Sequence, residues 1–490
     1  GQREWLPKAN PLYPGSADFD TREAWAHLCS AAREALAMAG IDGSKVAAAT
    51  STSMREGMVL FDKDKEVIWA CPNADARAGD EAIEMLKRNL ARPIYEIGGD
   101  WLNIISPPRF WWIRNKMPHL YERIAHMCML SDWVLYELSG EIVTEPSVGS
   151  SSGMFDLEQR RWSEKIIQMA ELPRGIYPPV YESGTVIGAI TTKAAEATGL
   201  RVGTPVVAGG ADTQLALAGV GAVRPSMRVT VAGTFWLDTI VTDQPMIDPD
   251  SRLRTICHVV PGQWMTEGVA FYHGFTMRWF RDGFCQEEKR LAAEQGSDAY
   301  VLMERLAQEV PPGANGIVGI FSDVMNAKKW RHAPPSLIGF TLTDPAHSGK
   351  RECIRAVEEQ AACTTRGHFD IIDELEGKKT REITFCGGSS KGFLWPQIVS
   401  DVLGVPVRIP KVREATSLGA AMCALLGIGE VKSWDEAVDR VVKFDRVVEP
   451  NMETHATYDK LYERWRAAYR YMLAMADDGV MPPLWRGSGV

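Results

Sequence analysis

The sequence predicts an α/β protein built from two large domains. Strand-like and helix-like segments alternate from one end of the chain to the other, which is the pattern of α/β proteins. The chain has 490 residues, more than a single hydrophobic core usually serves. Hydrophobic residues make up 45% of it and charged residues 24%, so both domains can bury a sizeable core. We place the boundary near Val223, which predicts domains of residues 1–222 and 223–490.

The charge and cysteine content exclude several classes of protein. The formal net charge is -9 and no run of Lys and Arg is interleaved with aromatics, so we expect no nucleic-acid partner. No apolar stretch of about 18 residues is present and the first residues lack the apolar core of a signal peptide, so we expect a cytoplasmic protein without membrane contact. The nine cysteines are scattered without a Cys-x-x-Cys pair, which predicts reduced, buried thiols.

The first helix and the first strand lead to a charged pair. Asp20 followed by Glu23 indicates a helix start, and the apolar helical pattern ends at Gly40. A β-branched segment over 45–54 predicts a strand that ends at Arg55 and Glu56. Side chains at a strand end are well placed to bind hydroxyl groups, and a structural salt bridge between the two is the alternative.

The middle of the chain carries a candidate catalytic carboxylate. The pattern over 121–138 predicts a helix, and residues 204–212 predict an apolar strand that runs into Gly209, Gly210 and Asp212. An ionised carboxylate at a strand end can accept a hydroxyl proton during phosphoryl transfer. The alternative is that Asp212 caps a helix over 213–217, because Asp is a favoured cap residue.

The second half continues the alternation. We predict a strand over 228–236, helices over 274–284 and 302–310, and a strand-helix-strand-helix succession from 383 to 426. Aromatic residues at helical spacing over 457–477 predict a C-terminal helical tail that packs back on the body. Trp111, Trp112 and Trp236 are expected to fill the interior rather than to stack on a sugar.

Three strand-to-glycine turns stand out as candidate phosphate sites, at Gly209-Gly210, Gly233-Thr234 and Gly387-Gly388. Backbone amides at such turns converge on anions without side-chain bulk. Neither a P-loop nor the dinucleotide spacing Gly-x-Gly-x-x-Gly is present at these turns, which disfavours P-loop enzymes and Rossmann dehydrogenases. Each turn taken alone can equally serve only the path of the backbone.

Taken in order, these segments resemble the motifs of FGGY carbohydrate kinases. Residues 208–214, 231–236 and 385–407 resemble the base, second phosphate and adenosine motifs of that family, and the long adenosine motif is the most specific. The resemblance continues at 107–113, 131–140, 153–156 and 413–421, and so covers nearly the whole chain. It implies two actin-like (ribonuclease H-like) domains with a cleft between them, and the use of ATP and Mg²⁺.

The resemblance also implies roles for individual residues. Asp212 would be the general base and would help to hold the magnesium nucleotide, while Arg55 and Glu56 would bind the acceptor substrate. The residues implied in nucleotide binding are Gly233, Thr234, Gly274, Arg278, Gly387, Gly388, Lys391 and Gly392. Arg278 can equally be a surface cation on its helix.

Within the family, the most similar subgroup is that of the autoinducer-2 kinases. Residues 53–60, 68–71, 276–282 and 320–323 carry this similarity. It implies phosphorylation of a terminal hydroxyl on a small branched polyhydroxy-ketone that serves as a quorum-sensing signal. A kinase for a ketopentose or polyol, such as xylulose, is the alternative within the family. A homodimer is the one assembly that we carry forward as a hypothesis.

One expected motif of the family is not found. FGGY kinases begin with an Asp-x-Gly-Thr-x-Ser hairpin that cradles phosphates, and Gly1 to Trp5 resemble the end of that region. We therefore expect the first hairpin of the N-terminal domain to be missing. This motivates a second alternative, a catalytically silent nucleotide- or effector-binding protein.

Overall fold

The computed structural model describes residues 1–102, 105–325 and 330–486, and it is an α/β structure throughout. We call residues 1–222 the first half and 223–490 the second half, after the boundary predicted above, which stays a prediction. The strands of the first half are β1 (Ala49–Ser53), β2 (Met58–Phe61), β3 (Val67–Cys71), β4 (His126–Met129), β5 (Phe155–Asp156), β6 (Arg161–Trp162), β7 (Val186–Ala189) and β8 (Pro205–Ala211). Its helices are α1 (Thr21–Ala39), α2 (Gly79–Lys87), α3 (Ala91–Gly98), α4 (Ser106–Lys116), α5 (Pro118–Tyr121), α6 (Leu130–Ser139), α7 (Pro146–Ser150), α8 (Glu164–Met169), α9 (Thr192–Thr198) and α10 (Asp212–Gly219).

The second half is organised around one large sheet. Its strands are β9 (Arg228–Ala232), β10 (Trp236–Thr242), β11 (Arg254–Cys257), β12 (Trp264–Ala270), β13 (Val318–Ile320), β14 (Ser336–Ile338), β15 (Ile383–Cys386), β16 (Val407–Pro410) and β17 (Phe444–Val448). Its helices are α11 (His273–Phe284), α12 (Gln286–Gln295), α13 (Ala299–Gln308), α14 (Lys350–Glu376), α15 (Leu394–Leu403), α16 (Ala415–Gly427), α17 (Trp434–Val441) and α18 (Met452–Asp477), with 3₁₀ turns at Ala314–Gly316, Pro345–His347 and Gly388–Lys391.

The sheets place the glycine turns at strand ends. The seven-stranded sheet has the order β11-β12-β10-β9-β15-β16-β17, in which β9, β15 and β16 are parallel and the remaining neighbours antiparallel. In the first half, β8 lies between β1, to which it is parallel, and β7. A second three-stranded sheet of order β3-β2-β4 is antiparallel. Parallel neighbours bring the ends of strands that are far apart in sequence to one edge.

Several sequence predictions are confirmed. Asp20 caps α1 by accepting hydrogen bonds from the amides of Arg22 and Glu23, and Gly40 ends the helix at a φ of 65°. A left-handed residue of this kind is the usual helix terminator, and glycine adopts it without a Cβ clash. Buried aromatic residues hold the C-terminal helix α18 against the body: Tyr458, Tyr462, Trp465 and Tyr469. The tryptophans assigned to the core are buried: Trp111, Trp112 and Trp236.

The prediction of reduced, buried cysteines is confirmed. All nine cysteines are unpaired and buried. Of the helices that the structure describes, none combines the length and the apolar character that crossing a membrane requires.

Two predicted elements are wrong. The segment 121–138 is not one helix, because His126–Met129 forms strand β4 on the edge of β2 and helix α6 begins only at Leu130. The segment 228–236 is not one strand, because residues 233–235 form a turn and β10 runs back antiparallel from Trp236. In both cases pairing with a distant or reversed strand overrides the local pattern.

The two halves meet where helix α10 packs on helix α16. A Cβ on Gly419 would lie 1.9 Å from the carbonyl oxygen of Leu215, and one on Gly219 would lie 2.0 Å from that of Ala415. Only glycine permits this approach of two helix backbones. A shared hydrophobic cluster of α10 and α16 residues surrounds the crossing, so the start of α10 is fixed by both halves.

A buried neutral histidine makes part of the stability dependent on pH. His258 is fully buried, and its Nδ1 accepts a hydrogen bond from the amide of Val260 at 3.1 Å. Burial, with nearby Arg160 adding to it, lowers the pKa of His258 to about 3. In the unfolded chain the ring takes up a proton near its ordinary pKa of about 6.5. Its contribution to stability is therefore complete above that pH and is lost as the pH falls towards 3.

We predict that His258→Gln flattens the acid side of the stability profile. Lowering the pH from 7 to 5 should cost the unchanged protein about 2 kcal/mol more unfolding free energy than it costs the variant. Urea unfolding at the two pH values measures the difference, with the other titrating groups cancelling between the two proteins. An identical pH dependence in the two proteins would contradict the neutral, buried state of His258.

Candidate active site

Asp212 lies where strand β8 passes into helix α10. The cap position is Ala211, whose methyl side chain cannot accept a hydrogen bond. Asp212 is therefore the first helical residue and not the cap considered above. Its Oδ1 accepts hydrogen bonds from the amide of Thr213 at 2.6 Å and from the Thr213 hydroxyl at 3.2 Å. Burial raises the pKa of Asp212, while Arg55 acts in the opposite direction. A carboxylate whose pKa is raised towards neutrality is a stronger base.

Close strand packing brings Asp212 next to Arg55 and Glu56. A Cβ on Gly209 would lie 1.8 Å from the carbonyl oxygen of Ser51, so β8 and β1 approach with no room for a side chain at this point. The chain leaves β1 two residues later and reaches Arg55 and Glu56. Both residues influence the ionisation of Asp212, which places the three predicted residues in one group.

Glu56 has an unusual backbone conformation that several contacts support. Its φ is +61°, a value that residues with a Cβ seldom adopt. Its amide donates a hydrogen bond to Ser151 Oγ at 3.1 Å, and its carbonyl oxygen accepts one from the buried guanidinium of Arg109. Backbone strain of this kind persists where the surroundings hold it, commonly at functional sites.

Charged residues that sequence reasoning missed complete this group. Arg55 Nη1 donates to Glu267 Oε1 at 2.8 Å, and Arg254 Nη1 donates to Glu56 Oε1 at 2.8 Å. Arg254 also contacts Glu267 through Nε and Asp100 at 3.3 Å. We call these five residues, Arg55, Glu56, Asp100, Arg254 and Glu267, the charge network, and all five are buried.

The charge network is electrostatically uneven, with three carboxylates to two guanidiniums. Burial, reinforced by the nearby Glu56 and opposed by Arg254, raises the pKa of Asp100 to about 6. Burial also works against ionisation of Glu267, but Arg55 and Arg254 outweigh it and lower the pKa of that carboxyl. Glu267 therefore holds its negative charge more firmly than Asp100.

The glycine turns of the second half form another group. The turn of residues 233–235 joins β9 to β10, and a Cβ on Gly274 would lie 2.1 Å from the carbonyl oxygen of Gly233 and 3.2 Å from the Cα of Thr234. The amide of Phe275 donates to the carbonyl oxygen of Thr234 at 3.2 Å. The start of helix α11 therefore rests directly on the predicted phosphate turn.

The predicted adenosine motif adjoins this turn. Gly387 has a φ of 97°, and a Cβ there would lie 2.6 Å from the carbonyl oxygen of Ala232, just before Gly233. Gly388 faces open space, with no atom within 4 Å of an added Cβ. A Cβ on Gly392 would lie 2.4 Å from Glu304 Oε1, and that carboxylate oxygen accepts from the amides of the two residues that follow, which start helix α15.

The two predicted cations of this region are exposed. Lys391 ends the 3₁₀ turn after Gly387, and Arg278 lies on the outer face of α11. Over the described ranges neither has a hydrogen-bond or ion-pair partner, so both are free to meet a ligand, and the surface role of Arg278 stays an alternative. The glycine group and the group around Asp212 share no hydrogen bond or ion pair in the part of the chain that the structure describes. The described residues also contain no cluster of three or more His, Cys, Asp or Glu suited to a metal ion.

Sequence reasoning missed the second-half members of the charge network for a physical reason. Arg254 and Glu267 are direct partners across β11 and β12, and they meet Arg55 and Glu56 only through the fold, about 200 residues away along the chain. No local motif marks them. Asp100, next to the tight Gly98-Gly99 pair, carries the only local signal, a carboxylate after glycines.

Comparisons with known sequences and structures point to one protein family. Models of the N-terminal and C-terminal domains of the FGGY family of carbohydrate kinases match residues 7–219 and 229–428. The autoinducer-2 kinase of Salmonella paratyphi B is 42% identical over 100% of this chain and 93% of its own length, and that of Yersinia pestis bv. Antiqua is 42% identical over the same shares. The crystal structure of xylulose kinase from Rhodospirillum rubrum superposes with a TM-score of 0.83 at 25% identity, over 96% of this chain and 93% of that one.

Both halves of the chain thus match the same family, and relatives align with it from end to end. The carboxylate of Asp212 at the end of β8 and the glycine turns of the large sheet lie within the two matched regions. The chain belongs to the FGGY family of carbohydrate kinases.

Proposed function

We propose that this protein is an ATP-dependent kinase that phosphorylates a terminal hydroxyl of the autoinducer-2 precursor, with Asp212 as the general base. The observation that carries the chemistry is the half-buried carboxylate of Asp212, with its raised pKa, next to the buried Arg55–Glu56 pair. The choice of acceptor is supported by the full-length likeness to relatives that bear the name autoinducer-2 kinase.

The acceptor would be held by Arg55 and Glu56. A guanidinium donates to hydroxyl or carbonyl oxygens and a carboxylate accepts from hydroxyl groups, so the pair suits a small molecule that carries both. Asp212 would then orient the attacking hydroxyl and accept its proton as the bond to phosphorus forms. Burial of Arg55 and Glu56, with Asp212 half-buried next to them, limits access of water, which would otherwise compete with the acceptor.

The nucleotide phosphates would lie against the turn of residues 233–235. Three features suit an anion there: the absence of side chains at Gly233 and Gly274, the exposed hydroxyl of Thr234, and the open space over Gly388. Lys391 and Arg278 are exposed cations, and they follow Gly388 and Gly274 by three and four residues along the chain. They would add long-range attraction for a polyanion.

The residues present fit Mg²⁺ that arrives with the nucleotide. Asp212 is the one carboxylate to which the family resemblance assigns magnesium binding. Mg²⁺ in such sites takes one or two carboxylates and completes its shell with phosphate oxygens and water. When bound, the ion would offset the charge of the phosphates. The protein residues bind, orient and deprotonate the acceptor.

A substrate panel tests the proposed function. ADP release should be stimulated by the open form of the autoinducer-2 precursor, and much less by xylulose, ribulose or glycerol. Turnover of a ketopentose without turnover of the precursor would refute the acceptor. ATP binding without turnover of any acceptor would favour the silent binder over the kinase.

We predict that Asp212→Asn lowers turnover by roughly 10² to 10⁴, the range for loss of a general base. Binding of ATP, measured by calorimetry, should change little, because the amide keeps the shape of the side chain. Turnover within a few-fold of the unchanged protein would remove Asp212 from the role of base.

We predict that Gly274→Ala raises the KM for ATP on the order of tenfold, because a methyl group 2.1 Å from the Gly233 carbonyl must displace the phosphate turn. Gly283→Ala is the matched control, since it lies on the same helix with nothing within 4 Å of the added methyl. Steady-state kinetics at saturating acceptor measure both. Equal ATP constants in the two variants would argue against nucleotide binding at this turn.

A further inference from the structure

The acceptor-binding pair of the first half is held by charged residues of the second half. Arg254 and Glu267 face each other across strands β11 and β12. Glu267 Oε1 accepts from Arg55 at 2.8 Å and also from Arg254, and Arg254 in turn donates to Glu56 at 2.8 Å. Each member of the pair thus contacts a residue of opposite charge from the other half.

Stability alone does not account for this arrangement. Removing charges from water costs free energy that their attraction only partly returns, so apolar residues of similar size often stabilise such a contact at least as well. Four charged side chains buried between the halves therefore point to a requirement for fixed charge at this place. The strained backbone of Glu56 indicates the same, since strain persists where the surroundings enforce it.

Glu267 acts on the candidate site through the guanidinium groups of Arg55 and Arg254. Its Oε1 is shared by Arg55 and Arg254, while its Oε2 is buried and has no hydrogen-bond partner among the described residues. The whole side chain is shielded from solvent. The effect of Glu267 on a bound acceptor is therefore an effect on where Arg55 and Arg254 lie.

The backbone around Arg254 is also fixed by the first half. The amide of Thr255 donates to the carbonyl oxygen of Gly99 at 2.9 Å, and Tyr95 Oη donates to the carbonyl oxygen of Leu253 at 2.6 Å. A Cβ on Gly99 would lie 2.1 Å from the Thr255 carbonyl oxygen. These contacts hold strand β11 on both sides of Arg254, and so fix the backbone of the residue that donates to Glu56.

We propose that Glu267 and Arg254 are positioning residues that orient Arg55 and Glu56 for the acceptor, so that the acceptor site is complete only while strands β11 and β12 lie against the first half. This inference rests on the proposed role of Arg55 and Glu56. It assigns selectivity for a polyhydroxylated acceptor to strands β11 and β12. These strands belong to the second half, which also carries the proposed phosphate turn of residues 233–235.

The test is the kinetic effect of Glu267→Gln, which keeps the shape of the side chain and removes its charge. The KM for the acceptor should rise about tenfold or more, the size of one charge-assisted hydrogen bond, while the KM for ATP stays within about twofold. An unchanged acceptor KM in a folded variant would overturn the proposal. If Glu267→Gln does not fold, Arg254→Lys takes its place, because it keeps the charge and loses the forked geometry, and the same rise is expected.

A double-mutant cycle separates positioning from an independent contact. In the background Arg55→Gln, the change Glu267→Gln should raise the acceptor KM by a smaller factor than it does alone, because one of its two guanidinium partners is already gone. If the effects of the two changes on the acceptor KM simply multiply, Glu267 does not act through Arg55. That result would overturn the proposal that Glu267 orients Arg55.

The control for a general loss of stability is Asp373→Asn. Asp373 pairs with the buried Arg228 at 3.1 Å elsewhere in the second half, so its loss also leaves a buried guanidinium short of charge. The thermal midpoint of the Asp373→Asn variant should fall, while its KM for the acceptor should stay unchanged. An equal rise of acceptor KM in Asp373→Asn would overturn the proposal.

The measurements use whichever acceptor of the panel the unchanged protein phosphorylates fastest. Failure with the autoinducer-2 precursor then refutes the proposed acceptor and leaves this test intact. If no acceptor is phosphorylated, the proposed function fails, and hydrogen exchange of the backbone around Arg55 and Glu56 decides the inference. Exchange there should be faster in Glu267→Gln and not in Asp373→Asn, and equal exchange in both would overturn it.

Discussion

Helix α10 lies so close to helix α16 that no side chain fits between their backbones at Gly419 or Gly219. The same constraint recurs wherever the candidate site is assembled: at Gly209 against β1, at Gly274 against the phosphate turn, and at Gly99 against β11. Each of these contacts joins segments that are distant in sequence. Because a backbone-to-backbone contact leaves no flexible side chain to absorb a shift, the positions of Asp212, of the phosphate turn and of Arg254 are all set within narrow limits.

The buried charges of the network depend on the rigid backbone contacts that the glycines allow. The charge network places five ionisable side chains in the interior, which costs free energy unless each finds its partners. A loosely held interface could not keep the guanidinium nitrogens of one half 2.8 Å from the carboxylate oxygens of the other. The tight crossing at Gly99 fixes the backbone of β11 next to Arg254, and the approach of Gly209 to β1 fixes the backbone before Arg55. The electrostatics of the site thus depend on steric contacts that lie outside it.

The parts of the site that were predictable from sequence are those with a local signature. Asp212 follows two glycines at the end of an apolar run and Gly387 follows an apolar strand, so their placement at strand ends can be predicted from periodicity. The strand predicted over 228–236, by contrast, ran past Gly233. The family resemblance supplied the roles proposed for these residues. Arg254 and Glu267 lie in strands that are buried at every residue, and only their partners across the fold explain a charge there. The segment before Leu130 was misread for the same reason, since the pairing of β4 with β2 decides its conformation.

Selectivity for the acceptor is a separate question from the fold, because kinases of one architecture phosphorylate different sugars and polyols. The difference must then lie in side chains that touch the acceptor or in residues that orient them. In the proposed role, Arg55 and Glu56 would offer a donor and an acceptor that most hydroxylated molecules satisfy, so the pair by itself would discriminate weakly. Fixing the pair from β11 and β12 changes this, because a rigid donor and acceptor reject molecules whose hydroxyl groups are spaced differently, whereas a mobile pair would follow them. Discrimination would in this view be a property of the contact between the halves, because the second-half residues that fix the pair would also decide which molecule fits it.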